Sequence, residues 1–172
     1  MFFLLELKKN VQLSPRFFGP KMVSTIQDKL VAEVEGTCSG RYGYIIGVLG
    51  KPNVGKGFVV EDHSGQAVFE VKYQAIVFRP FKGEVLDAIV YHVSKMGFFA
   101  QAGPLELFVS THLIPSEYAF SSIDEPCFVS DDSMTRIQQD AMVRLKIIGI
   151  QVDPSKIFAV ATIKGEYLGV IR

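Results

Sequence analysis

Histidine and cysteine are scarce in this chain, three of the first and two of the second. Cys38 and Cys127 lie far apart with no Cys-x-x-Cys pair, which argues against a zinc ribbon and against a disulfide framework. They read as two small buried or half-buried thiols. His63, His92 and His112 show no His-x-x-x-His spacing, and no nearby cysteine completes a metal site. His92 within a strand pattern and His112 just after one read as surface or packing residues. Ser94, Ser110 and Ser116 lack the Gly-x-Ser-x-Gly elbow of a nucleophilic serine. No catalytic residue, metal or cofactor is expected.

An excess of charge is missing as well. Lys plus Arg and Asp plus Glu both count 18, so no basic surplus exists to hold nucleic acid strongly. Any RNA contact should be weak alone and strengthened by tethering to a larger machine. No apolar run is long enough to span a membrane, and no membrane role is expected. The opening Met-Phe-Phe-Leu-Leu lacks a positive leader, and Glu6 interrupts it too soon for a signal peptide, so it reads as a first strand. Hydrophobic residues nonetheless reach 48%, which leaves two readings open: an apolar surface covered by a partner, or tightly packed β-barrels.

What is present is β-pattern in two blocks. Phe69, Val71, Tyr73, Ala75 and Val77 share one face of a strand, while Glu70, Lys72 and Gln74 take the other. Pro80 then removes a backbone donor and biases Arg79 to an extended conformation, and Gly83 allows a sharp redirection. At 172 residues, one domain or two small ones fit. The boundary falls between modules 1–80 and 81–172.

The fold class is α+β. In the first module a strand over 2–13 precedes one helix over 20–35. Gly19 can cap this helix, Pro20 suits its first position and Gly36 its stop. Val23, Ile26, Leu30 and Val34 form an apolar stripe that would cover an antiparallel sheet built from 41–49, 58–60 and 67–78. The second module shows five strands, at 84–93, 97–102, 105–110, 142–150 and 157–163. A turn at 111–114 and a long loop over about 116–140 separate the third from the fourth. Five strands with that connection match an OB-fold β-barrel, and long loops tend to be functional.

Gly50-Lys51-Pro52-Asn53-Val54-Gly55-Lys56-Gly57 nearly spells a phosphate-binding loop. Gly57 stands where Ser or Thr would hold magnesium, and the strand-like Phe58-Val59-Val60 follows where a helix N-terminus is needed. Asp62-His63-Ser64-Gly65 imitates a GTPase Asp-x-x-Gly but lies too close to act as a separate segment, and no Asn-Lys-x-Asp occurs. A nucleotide hydrolase is the least favoured reading.

Longer stretches carry a resemblance. Met1-Phe2-Phe3, Leu13 through Pro20, Val34 through Gly40, Val71-Lys72-Tyr73, Val77 through Val85 and Glu166 through Val170 together resemble the seventh-subunit family of eukaryotic RNA polymerase II, the RNA-facing half of its stalk. Ser14, the segment 121–132 and the turn 61–65 depart from the family wording. The resemblance implies a truncated RNP-like tip domain that anchors to the polymerase core, followed by an OB-fold facing emerging single-stranded RNA. It places Pro15, Phe17, Phe18 and Gly19, with the loop Val54, Gly55, Lys56 and Gly57, at the core contact. It further implies a heterodimer with the mainly helical fourth subunit, a noncatalytic role in transcription, including initiation, and a nuclear location. Lys95 through Ala100 also resembles the RNA-binding repeat named for the largest small-subunit ribosomal protein of bacteria. Met96 and Phe99 fall at its two aromatic positions, Val109 at its exposed histidine, and Asp153 and Lys156 near its later polar pair.

Single-stranded RNA is held by base faces on aromatic rings and by phosphates on dispersed cations. The candidate set is Lys95, Met96, Phe98, Phe99, Lys146, Asp153 and Lys156, with Phe108 as a substitute ring and Arg144 as a further cation. Each phenylalanine has core packing as its competing reading, favoured for Phe98 and Phe108 and evenly balanced for Phe99. Arg144 and Lys146 alternate with Val143, Leu145 and Ile147, the pattern of an ordinary solvated face. Little base preference is expected, because every base offers a stacking face. A free-standing OB-fold RNA-binding or translation-type factor is the alternative function.

Overall fold

The chain divides at Pro80. A computed structural model describes residues 1–61, 64–122, 125–132 and 134–171, and its two units are Phe2–Arg79 and Pro80–Arg172, the second joined by Met1. Asp62 and His63, part of the GTPase-like motif, lie outside the described residues.

The first unit is an antiparallel sheet covered by one helix. Its elements are β1 (Phe2–Leu13), a 3-10 turn (Pro15–Phe17), α1 (Met22–Val34), β2 (Cys38–Ser39), β3 (Gly43–Val59) and β4 (Ala67–Phe78), with sheet order β1-β4-β3-β2. β1 pairs with β4 along its whole length, from Phe2 opposite Phe78 to Leu13 opposite Ala67. The alternation read from the sequence decides which face is buried. Phe69, Val71, Tyr73, Ala75 and Val77 pack with Ile26, Leu30 and Val34 of the helix, while Glu70, Lys72 and Gln74 stay exposed. The regular helix starts later than expected because Gly19, Pro20 and Lys21 form a turn, in which the Met22 amide donates to Gly19 (3.0 Å). Lys21 is its N-cap, and the Ser24 and Thr25 hydroxyls donate to the Lys21 carbonyl. Gly36, at φ +74°, ends it as expected.

The segment Val54–Gly57 is not a loop. β3 runs unbroken from Gly43 to Val59 and absorbs its glycines and Pro52 in register shifts, between Leu49 and Asn53 and between Val54 and Gly57. A side chain at Gly57 would collide with the Phe69 ring, and a Cβ at Gly55 would sit 2.8 Å from the Glu70 carbonyl. These glycines therefore serve close strand packing, and among the described residues no helix follows to complete a phosphate loop.

The second unit is a closed barrel of β5 (Val85–Ser94), β6 (Gly97–Ala102), β7 (Leu105–Ser110) and two later strands. Between them, β8 (Tyr118–Ser121), β9 (Cys127–Ser130) and β10 (Arg136–Ile137) form a separate small sheet where one long loop is expected from the sequence. Buried Phe128 and Ile137, opposite each other, give it a core. β11 (Met142–Val152) and β12 (Ile157–Thr162) complete the barrel, and β13 (Gly169–Val170) adds to β11. The order β12-β7-β6-β5-β11 is closed by β11 against β12, and β12 runs parallel to β7. This is the five-stranded OB arrangement. Gly83 turns the entry at φ +89° and donates to Ile147 (2.7 Å). Cys38 and Cys127 are free and half-buried, and burial pushes the Cys38 thiol up from its ordinary pKa.

Candidate nucleic-acid interface

Strict alternation on β6 and β7 sorts their side chains. Phe98 and Ala100 are fully buried, while Phe99 and Gln101 point outward. Leu105, Leu107 and Val109 are buried, and Glu106, Phe108 and Ser110 take the outer face. Phe99 stands directly opposite Phe108, with ring centroids 4.7 Å apart, the separation of a favourable aromatic pair. On the other side, β5 carries a bulge between Val90 and His92. An extra residue in a bulge breaks the inside–outside alternation, so Tyr91 and His92 are both exposed. Each lies 6.1 Å from the Phe99 ring. Four rings thus share one outer face.

The tight return from β5 to β6 fixes this register. Gly97 sits at φ +142° with no room for a side chain against the Val109 carbonyl, and the Ser94 hydroxyl donates to the Gly97 carbonyl (3.0 Å). Lys95 and Met96 are exposed in that turn, Met96 at 73%. On β12, Val160 extends the face beside Phe108, and exposed Phe158 follows beside Glu106. The Lys156 ammonium lies 4.7 Å from the Phe158 ring and 2.8 Å from Glu106. The Asp153 amide donates to the Lys156 carbonyl (2.9 Å), closing the turn that presents this lysine. The Tyr91 hydroxyl is pushed up in pKa, first by burial and then by the Glu106 carboxylate, with Lys156 opposing. It therefore remains a hydrogen-bond donor at neutral pH.

Several sequence expectations change. Phe98 is core and cannot stack a base, because its β6 position faces inward. Val109 does not replace an exposed histidine, since it too is buried; Phe108, one residue earlier, holds the outward place. Lys146 faces outward on β11, opposite Val85 and Thr162, two strands from β6 in the sheet. Arg144 is engaged by Asp87 through two bonds of 2.7 and 2.9 Å, so its planar fork is occupied. Tyr91, His92, Phe108 and Phe158 are outward-facing rings of the barrel that sequence reasoning missed or set aside. The polar neighbours Glu106 and Ser110 were the available signal for Phe108, since they mark its face of β7 as the outer one.

The residues proposed for core contact lie in the first unit. Phe17 and Phe18 are exposed after the 3-10 turn, with the Arg16 guanidinium 4.6 Å from the Phe17 ring centre. Val59, Ala67 and Leu13 are in register across the sheet, so the exposed pair Phe58 and Val59 ends at the same margin from which the 3-10 turn departs. Val54, Gly55, Lys56 and Gly57 lead along β3 to that margin.

Among the described residues, no group of His, Cys, Asp and Glu could hold a metal ion. Among the same residues, no helix is long and apolar enough to cross a membrane.

Residues 8–65 match the SHS2 domain found in the N terminus of Rpb7p/Rpc25p/MJ0397, and residues 79–159 match the S1 RNA binding domain. DNA-directed RNA polymerase II subunit RPB7 of Glycine max is 52% identical, with 100% of this chain and 97% of that protein covered. The Dictyostelium discoideum subunit rpb7 is also 52% identical, over 99% of each. RPB7 of Saccharomyces cerevisiae is 41% identical, over 99% of this chain and 100% of its own. With an SHS2 unit, an S1 barrel and full-length identity of this order, the chain belongs to the RPB7 family, the seventh subunits of DNA-directed RNA polymerase II.

Proposed function

We propose that this chain is a noncatalytic stalk subunit of RNA polymerase II in the nucleus. It pairs with the helical fourth subunit, docks on the polymerase core through the apolar margin of its first unit, and holds emerging single-stranded RNA on its barrel. The observation that carries the RNA reading is the outward cluster of Tyr91, His92, Phe99 and Phe108, with Phe99 and Phe108 4.7 Å apart. Apolar rings cost free energy when left in water, and a barrel whose own core is filled gains nothing by keeping them outside. Stacked bases would cover them at about 1–3 kcal/mol per base. Lys95 and Lys156 sit at the two ends of the strand turns around this face and would meet phosphates. Docking is supported by exposed Phe17, Phe18, Phe58 and Val59, apolar groups of the kind that mark protein contacts.

Affinity purification from nuclear extract tests the assembly. Recovery of the large polymerase subunits with a helical companion is expected, and a chain recovered free of them would favour a free-standing RNA-binding factor. Titration with labelled single-stranded RNA tests the platform, which requires Phe99→Ala to weaken binding about five- to hundredfold.

A further inference from the structure

Beside the ring platform lies a cavity of about 180 Å³ lined by His92, Val93, Glu125, Pro126 and Gln139. It is smaller than the roughly 300–1,000 Å³ of pockets that enclose whole ligands, a size suited to the edge of one base. His92 belongs both to this cavity and to the ring cluster, 6.1 Å from Phe99. The other walls come from the small sheet. Ile137 pairs with Phe128, and Gln139 and Pro126 lie just beyond the same ends of their two strands. Gln139 is held next to the β5 bulge because the Asp140 amide donates to Val90 (2.8 Å) and the Val90 amide donates to Ala141 (2.9 Å). Gln139 is therefore anchored beside the ring cluster, while Glu125 and Pro126 come from the segment 121–132, whose wording departs from the family.

We propose that this cavity reads the Watson–Crick edge of a base stacked on Phe99 and His92, and that it selects guanine. The inference rests on the RNA-binding reading above. A carboxylate accepts hydrogen bonds and offers none. Guanine presents two adjacent donors, N1–H and the 2-amino group, which fit the two Glu125 oxygens side by side, and its O6 can accept from the Gln139 amide. Adenine and cytosine bring one amino donor flanked by an acceptor. Uracil brings a single N3–H between two carbonyls, whose lone pairs would face the carboxylate. A site built to bond a particular edge rejects others chiefly because its own polar groups are left unpaired. Stacking alone gives little preference, so this cavity is what would turn a tolerant platform into a selective one.

The test titrates the full chain, by fluorescence anisotropy, with short labelled oligouridylates carrying one central guanosine, inosine, adenosine or cytidine, and with the all-uridine oligomer. Guanosine is expected to bind about tenfold more tightly than uridine, within the roughly five- to hundredfold range of one good bidentate base contact. Inosine, which lacks the 2-amino group, should fall between them. Glu125→Gln should bring the guanosine oligomer close to the uridine level, and Gln139→Leu should weaken it by less. Equal binding of all five oligomers, still lost in Phe99→Ala, would leave the platform standing and overturn the guanine pocket. A preference that survives Glu125→Gln would overturn it as well. If no oligomer binds, the platform and the pocket fall together.

Discussion

The two units solve the burial problem of a β-sheet in opposite ways. In the second, five strands close on themselves and their inner faces fill the barrel with Phe98, Ala100, Leu107 and Leu145, all essentially inaccessible. In the first, a single helix covers one face of an open sheet whose margins are β1 and β2. A closed sheet has no free edge, whereas an open one keeps edges and a second face to be managed. The open unit leaves Phe2, Leu4 and Phe58 exposed at 61%, 59% and 72%. Its surplus apolar surface is what a protein partner would cover. The barrel's exposed rings instead sit on a finished core, and flat rings of this kind suit bases. The high apolar content thus has two origins, dense packing in one unit and incomplete covering in the other.

The sharpest break of this comparison uses neighbours in sequence. Phe98→Ala empties the barrel centre and should cost about 3–5 kcal/mol of stability, read as a lower melting temperature for the second unit. In the open unit, Gly55→Val together with Gly57→Val should cost about 1–3 kcal/mol by overpacking, because the new side chains meet Phe69 and the Glu70 backbone. Hydrogen exchange should localise the damage to β3 and β4 and leave the barrel amides protected. Polymerase recovery should fall while RNA affinity holds. An unchanged β3 would mean that the bulges can absorb both valines.

Much of this contrast was legible in the sequence because period-2 alternation is a local property. β4 and the five barrel strands follow from it, and Ile26, Leu30 and Val34 of α1 follow from the equally local 3.6-residue period, whereas Val23, read into the same stripe, is exposed. What it missed depends on contacts across strands. The stretch Gly50–Gly57 looks like a loop because glycine and proline disfavour strands on average, yet pairing with β4 carries it through two register shifts. The small sheet over 118–137 is hidden because strands of two to four residues leave too few alternations to recognise. Phe98 and Phe99 are identical in type, and the inward neighbour Ala100 and outward neighbour Gln101 are what separate them. The tilt of Tyr91 toward Phe99 requires the β5 bulge, which no spacing rule reveals.

Phe99→Ala sharpens the inside–outside distinction from the other side. Its half-exposed ring should cost less stability than Phe98, while RNA affinity falls about five- to hundredfold. Lys95→Ala should weaken binding modestly and flatten its salt dependence, since one phosphate contact is removed. A Phe99→Ala protein that melts like Phe98→Ala would show that the outer ring is part of the core after all.

The smallest effect compares ion pairs. In the barrel, Arg144 grips Asp87 with two bonds across β11 and β5, whereas in the open sheet Lys8 approaches Glu70 at 3.7 Å through one atom. Both pairs are exposed, so solvent and salt screen them and neither should add much stability. Geometry still separates them. The hydrogen bonds from Arg144 hold the Asp87 carboxyl below its ordinary pKa, with desolvation opposing this and the Arg144 charge adding to it. A depressed carboxylate pKa contributes stability that is full above the unfolded-state value, near pH 4, and lost as pH falls through the lower folded value. Asp87→Asn lacks that contribution. The stability gap between the parent chain and Asp87→Asn should be constant above about pH 5 and shrink below about pH 4. Lys8→Met should show a smaller change throughout. Urea unfolding monitored from pH 7 to pH 3 measures both, and a gap that does not narrow in acid would mean the Arg144 fork is not closed on Asp87 in solution.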